Sequence, residues 1–373
     1  MTETTFPKNV PALWKSSLLT LKGKLAATVK PLISGSSSIR DDEDITLLEF
    51  LRAKWGEEVA EYLFGPLYGG VHASSANSLS VRALYPQLLK PIVDDKTSQK
   101  RKGFVSLKGG MQELIRSLID HLEVSSLRPN SQIEQIELDE DNSYLLTNQN
   151  GQVFKADALI LAAPSYVAAP LLKNLSPKTS ELLGQIRHSS SAIVTLAYEN
   201  SKFKPGTLGS GFIVPSREGE VVSGCTISSH KWANRSRPED LLLRVFIGRG
   251  DHTRDISQFD DKELSDVATE CIQRHLHLSD TPTLKLVDRW PQGLPQYSLG
   301  HIDLVKAARA SSSHLPNFHF TGVSYGGIGI PDCIRQGKEG AKLLWKYIQS
   351  SQRTNLSNSD SVEDQANNMT ALA

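Results

Sequence analysis

The sequence predicts an α/β protein interrupted by a separate α+β domain, and three observations lead there. Strand–turn–helix units recur at Gly103–Leu122, Asp157–Leu172 and Asn317–Ile348, a repetition that argues for a parallel layer with helices packed on it. Between Ser190 and about Ile302, strand-like runs follow one another with a lone amphipathic helix, Asp261–His277. The α/β texture then returns at Phe318, and a mixed-sheet domain inserted between two parts of another explains that return most simply.

Composition sets the bounds. A chain of 373 residues, 39% hydrophobic and 22% charged, is long enough for two domains and can bury sizeable cores. Lys+Arg and Asp+Glu both number 41, so no net charge draws the chain to nucleic acid. Cys225, Cys271 and Cys333 are far apart and form no CxxC, which predicts reduced thiols. No apolar run approaches the ~18 residues of a membrane span, and no signal peptide opens the chain.

Taken in order, Pro11–Arg40 carries Lys15, Lys22, Lys24, Lys30 and Arg40 without an acid, beside Trp14, Leu18, Leu19, Leu21, Leu25, Val29 and Leu32. Such a stretch either covers the protein's own core or lies on a membrane surface. Asp41–Asp44 reads as a solvated helix entrance. A helical run starts at Thr46, Gly56 breaks it, and Gly65–Gly70 reads as an irregular turn facing a cavity. Residues 91–101 are polar and read as a surface loop. Then come strand FVSL, turn Lys108-Gly109-Gly110, and a helix with Leu114, Ile115, Leu118 and Leu122 on one face. QIEQIEL alternates, NQNG is a turn signal, and DALILAA is a continuous apolar strand of the kind buried on both faces.

The stretch Asn317–Ile348 organises the rest. A short strand leads through Gly322, Gly326, Gly327 and Gly329 into a helix opened by Pro331. Ile334, Gly337, Ala341, Leu344 and Ile348 form its apolar face. A glycine turn before a helix N-terminus lets a ligand approach free N–H groups and suits a phosphate. The plain alternative is a tight turn with no ligand, and the spacing is not the GxGxxG dinucleotide fingerprint. After Gln352 the tail is polar and predicts disorder. No histidine stands in HExxH or another metal spacing, and His275 and His277 point to different faces of their helix. No metal site is predicted.

At this point the chain resembles the flavin-dependent protoporphyrinogen oxidases of haem biosynthesis and the related coproporphyrinogen III oxidases. The segments that carry the resemblance are RAKWGEEVAEYLFGPLYGGVHASSANSLSVRALYP, FVSLKGGMQELIRSL, DALILAAPSYVAAPLL, TISSHKWANRSRPEDLLLRVFIGRG, DRWPQGLPQYSLGH and GVSYGGIGIPDCI, all in family order between about Pro11 and Ile348. What it implies is an FAD enzyme taking six electrons from a porphyrinogen and passing them to dioxygen. The cofactor supplies the redox chemistry, which agrees with the lack of an obvious catalytic side chain.

Carried over residue by residue, Gly327, Gly329, Ile330, Pro331 and Asp332 would sit at the flavin and its ribityl–phosphate chain. Trp290 would lie near the cofactor, and Ile133 would offer backbone contact to the adenine. Gly70 would present a carbonyl for the proton that accompanies hydride loss, Val71 would line the substrate cavity, and Arg82 would steady a propionate. The bland readings stand beside these: Trp290 as core, Arg82 as a surface ion pair, Gly70 as a turn glycine. Family members have Tyr-Ala-Gly-Asp after the cavity glycine, whereas this chain has His72-Ala73-Ser74-Ser75.

The implied organisation is a helical substrate- or membrane-facing segment (1–102), the first part of a partial, Rossmann-like FAD-binding domain (103–185), a mixed β-sheet substrate domain (186–312), the C-terminal part of the FAD domain (313–350) and a disordered tail (351–373). The family's opening GxGxxG unit has no counterpart here. The sequence is then a truncation, or a separate N-terminal FAD-binding polypeptide completes it, or activity is lost. The expected location is the cytoplasm, peripheral to a membrane through residues 11–34. The alternatives are a non-catalytic tetrapyrrole- or partner-binding remnant, and another flavin amine oxidase or desaturase.

Overall fold

The computed structural model describes residues 10–33, 43–89, 105–201, 203, 209–248 and 255–349. In chain order come helices α1 (Val10–Lys15), α2 (Leu21–Ile33), α3 (Leu47–Trp55) and α4 (Glu57–Val59), a π turn (Ala60–Phe64), then α5 (Gly65–Val71), α6 (Val81–Leu84) and α7 (Gln112–Asp120). Next are strands β1 (Ile133–Leu138), β2 (Tyr144–Asn148), β3 (Val153–Ala156) and β4 (Leu159–Leu161), followed by α8 (Ser165–Leu171) and α9 (Pro177–Gly184). Strands β5 (His188–Tyr198), β6 (Gly211–Ile213) and β7 (Val222–Ile227), helix α10 (Ser228–Lys231), β8 (Leu241–Ile247), α11 (Asp261–Leu276), β9 (Leu284–Pro295), α12 (His301–Ser311) and β10 (Phe318–Phe320) complete that series. A last helix, α13, covers 330–349.

The chain divides into two compact units, Met1–Leu127 with His188–Gly300, and Arg128–Arg187 with His301–Ala373. In the first unit, α3 starts where the sequence signals it. Thr46 Oγ1 accepts the Glu49 N–H while the Glu49 carboxylate accepts the Thr46 N–H, a reciprocal cap. Gly56, at φ +91°, closes the helix with its N–H on the Arg52 carbonyl. Gly65–Gly70 does not become irregular as expected. It is helical, because the wider π turn just before it absorbs one extra residue and Pro66 fits the first turn of α5. Leu47, Phe50, Leu51, Ala60, Leu79 and Val81 make the core beneath these helices.

Helix α2 turns its small residues inward. Ala26 packs at Gly56, while Leu21, Leu25 and Val29 face outward in one stripe. Asp44 is no mere solvated entrance, since its carboxylate accepts the Ser80 hydroxyl and the Gly300 N–H, the latter at 2.6 Å. The FVSL strand is a second correction: 105–107 have no ladder partner and are not a strand. Helix α7 does form, with Leu114 half-buried but Ile115, Leu118 and Leu122 exposed. The rest of this unit is a five-stranded sheet in the order β6-β7-β8-β5-β9. Every pairing in it is antiparallel, so the sheet is not mixed. Ala192, Val194 and Leu196 of β5 and Leu243, Val245 and Ile247 of β8 alternate into a core with Leu264, Ala268 and Ile272 of α11.

The second unit holds an antiparallel meander, β1-β2-β3, and a parallel pair, β4 with β10. Leu161, Phe320, Ala168, Leu172, Leu183 and Ala308 form its core. Ile160 is exposed, so β4 is buried on one face only among the described residues. The buried line along α13 is Gln336, Gly340 and Leu344, not the predicted one, and Ile334 and Ala341 face outward. Gly340 sets the close approach: a Cβ there would meet His319 Cδ2 at 2.6 Å, whereas Gly337 faces open space. The expected loop at 91–101 and the expected tail disorder lie outside the described residues.

Candidate functional site

In the first unit a cavity of about 240 Å³ opens where α5 meets the sheet. Its wall takes Gly70, Val71 and Ala73 from the end of α5, Ser191 to Ile193 from β5, Phe246 from β8, and Trp290 and Leu294 from β9. The structure therefore brings together Gly70, Val71 and Trp290, three of the residues singled out in sequence. Trp290 is 55% exposed, so it is a wall residue and not core. A Cβ on Gly70 would sit 3.8 Å from Ser223 Cβ, an ordinary contact. The missing side chain is thus not demanded by packing; it leaves room in the cavity. Arg82 lies on α6 and does not line the cavity, whose described wall has no Lys or Arg.

A smaller hollow of about 90 Å³ shares Gly70, Ser223 and Gly248 and adds Ser74, Ser75, Ser216 and Glu61. These hydroxyls escaped sequence reasoning; the run of small residues in HASSANS was the signal for Ser74 and Ser75 alone. Ala73 holds φ +44°, a left-handed conformation uncommon for a residue with a Cβ. Its neighbour His72 is buried, and its Nε2 lies 2.8 Å from the Tyr85 hydroxyl. Burial drives the His72 pKa down to about 4, so the ring is neutral at pH 7. The His72 carbonyl accepts the Gln296 side-chain N–H at 3.1 Å, and the same amide donates to Ser189 Oγ at 2.8 Å. These bonds fix the chain just past Gly70 to β5 and to the loop after β9.

In the second unit the glycine-rich turn joins β10 to α13. Ser165 N–H donates to Ser324 Oγ at 3.1 Å, and the Tyr325 hydroxyl to the Ala163 carbonyl at 3.0 Å, so the turn is anchored on the end of β4. Gly327 has φ +117°, and a Cβ there would meet Asp332 Cγ at 2.6 Å; at Gly329 it would meet Asp332 Oδ2 at 3.0 Å. The turn and Asp332 are therefore closely fitted, with Ile330 exposed beside them. Asp332 stands at the positive end of α13. A carboxylate there receives a hydroxyl better than it receives a phosphate, which adjusts the expectation of a phosphate seat. Ser165 Oγ, Thr321 Oγ1 and Gln336 Oε1 are buried without a hydrogen-bond partner around this turn. Ile133 opens β1 opposite Asn148, with a register shift beside it.

Gly322-Val323-Ser324-Tyr325-Gly326 also has G-x-S-x-G spacing, contrary to the expectation that no such elbow occurs. Ser324 is fully buried, it accepts the Ser165 N–H, and its φ is not positive. It is a structural serine, not an exposed nucleophile.

The chain is 28% identical over 363 residues to the coproporphyrinogen III oxidase of Bacillus subtilis (strain 168), covering 92% of this chain and 75% of that protein. It is 25% identical to protoporphyrinogen oxidase 2, chloroplastic/mitochondrial, of Arabidopsis thaliana, covering 92% and 76%. A crystal structure from Exiguobacterium sp. 255-15, assigned provisionally as a protoporphyrinogen oxidase, superposes with a TM-score of 0.76 at 26% identity, covering 91% of this chain and 76% of that one. The profile for flavin containing amine oxidoreductases matches residues 2–344, and the chain belongs to that family.

Proposed function

We propose that this protein is a porphyrinogen oxidase, removing six electrons from coproporphyrinogen III or protoporphyrinogen IX with FAD as acceptor and dioxygen as the final oxidant. The observation that carries the reading is the apolar cavity in which Gly70, Val71 and Trp290 meet. The names of the relatives support it. In the balanced reaction one porphyrinogen and three dioxygen give one porphyrin and three hydrogen peroxide. FAD supplies the two-electron acceptor used in each of three rounds.

The flavin fits the residues of the second unit. At Gly327 the backbone conformation and Asp332 leave no room for a Cβ, Gly329 is closely approached by the same carboxylate, and three buried polar atoms around the turn have no hydrogen-bond partner. Gly327, Gly329, Ile330, Pro331 and Asp332 would hold the isoalloxazine edge and ribityl chain, with the Asp332 carboxylate accepting a ribityl hydroxyl. Ile133 would serve the adenine through its backbone. Residues 128–187 with 301–349 are then the cofactor-binding part.

In the first unit, Trp290, Phe246 and Leu294 press on the macrocycle and exclude water. Val71 sets the rim. The Gly70 carbonyl already accepts the Ala73 N–H at 3.3 Å. Its second lone pair takes a pyrrole N–H, orienting the proton that leaves as the carbon framework is oxidised. Arg82 stays outside the cavity lining. Contact with a membrane surface, on the cytoplasmic side, runs through α2.

The test is anaerobic loading with FAD, then oxygenated assay of both porphyrinogens by porphyrin fluorescence, with and without an added GxGxxG polypeptide. FAD-dependent porphyrin formation above autoxidation is the expected result. No such formation in any arm, from folded protein, rejects the oxidase reading.

A further inference from the structure

The inserted sheet carries a side-chain cluster that neither the cavity nor the glycine turn uses. Cys271 and His275 stand one helical turn apart on α11, so they share a face. Glu220, between the left-handed Gly219 and β7, reaches that face from the sheet side. One ligand atom from each (thiol sulfur, imidazole nitrogen, carboxylate oxygen) lies within 4.8 Å of the other two. His275 Nε2 is 3.2 Å from Glu220 Oε1. Cys271 is buried, and the Glu220 and His275 side chains are only 12% and 13% exposed. The Phe212 ring packs against the imidazole at 5.2 Å between centroids, which restrains its orientation.

We propose that Glu220, Cys271 and His275 form a Zn²⁺ site that ties α11 to the β6–β7 edge of the sheet. Zinc accepts this donor set in a single tetrahedral shell, with bonds of roughly 2.0 to 2.3 Å. Tetrahedral geometry then puts neighbouring ligand atoms about 3.3 to 3.6 Å apart. The His275–Glu220 separation is already close to that, and the cluster has to contract by only about an ångström. A water takes the fourth corner. Arg274 pairs with Glu220 Oε1 at 2.8 Å but is half exposed, so its guanidinium turns to solvent when the ion takes that oxygen. The Cys271 proton is released to buffer on binding. Sequence reading did not find this set because Glu220 stands about 50 residues before the helical pair and only the fold delivers it.

Metal-stripped full chain is titrated with Zn²⁺ against a chromophoric chelator, and in parallel with Co²⁺ to read the thiolate-to-metal charge-transfer absorption. One equivalent of Zn²⁺ per chain, a raised Tm and that absorption are expected, with at least tenfold weaker binding in His275→Ala and Glu220→Gln. Cys271→Ser removes the thiolate band, while Cys333→Ser keeps full binding. Should Cys271→Ser fail to fold, the two rim variants still decide. Absence of stoichiometric binding overturns the proposal, and so does full affinity in both His275→Ala and Glu220→Gln. A cobalt complex of the folded wild type without thiolate absorption overturns it equally, since the ion then sits elsewhere.

Discussion

Gly70 and His72, two residues apart, do opposite things at the cavity. Gly70 is helical and has ordinary space around a would-be Cβ. Alanine there is tolerated and helps the helix, by up to about 1 kcal/mol. A branched side chain projects into the cavity instead. Gly70→Val is therefore expected to lower porphyrin formation at least tenfold while Tm changes by only a few degrees; unchanged turnover would remove the cavity from the mechanism. His72 is neutral because burial drives its pKa down to about 4 from the ordinary 6.5. The unfolded chain takes up the proton first, so the stability is intact above about pH 6.5 and is lost as pH falls toward 4. The shift corresponds to something on the order of 3 kcal/mol at full protonation of the unfolded state. Urea titrations from pH 7.5 to 4.5 check this: the wild type falls more steeply than His72→Gln, and parallel slopes would show that the imidazole is not the cause.

At the scale of elements, α2 has the most direct external consequence. Its outward stripe Leu21, Leu25, Val29 is flanked by Lys22, Lys24 and Lys30. A face of this kind suits an anionic bilayer, where each lysine near the surface adds about 1 kcal/mol. The protein is expected to float with vesicles containing phosphatidylserine at low salt, and Lys22→Glu with Lys24→Glu is expected to release it. No helix among the described residues is long and apolar enough to cross a membrane. Elements with local signals were legible in the sequence. Thr46 and Glu49 cap α3, Gly56 ends it, Asp260 and Glu263 cap α11, and Asn148 to Gly151 make the turn after β2. What depended on partners was not. Residues 105–107 look like a strand and lack a ladder, Gly65–Gly70 look like a loop and are helical, and the buried face of α13 follows His319 rather than the apolar count. Gly70, Val71 and Trp290 could be named from the family pattern, but Ser223 belongs to the cavity region only through the sheet's register, and Ser216 through the turn between β6 and β7.

At the scale of the molecule, two units each hold a core of their own. Among the described residues, β4 and β10 pair only with each other, and β9 forms one outer edge of the five-stranded sheet with Leu284 and Leu286 exposed. Open parallel and antiparallel edges of this kind invite pairing with other chains. Light scattering is expected to rise with protein concentration, and Leu284→Lys with Leu286→Lys to suppress it without loss of Tm; an unchanged scattering curve would locate the sticky surface elsewhere.

The π turn at Ala60–Phe64 bears on all of this in a further way. An α-helix closes each turn four residues on, whereas the Gly65 N–H here reaches back five, to the Ala60 carbonyl. The surplus residue is taken up inside that one wide turn, so everything downstream to His72 keeps its angular phase. This local dislocation in the screw lets the helix carry an additional residue while the aperture presented by Gly70 still faces Trp290.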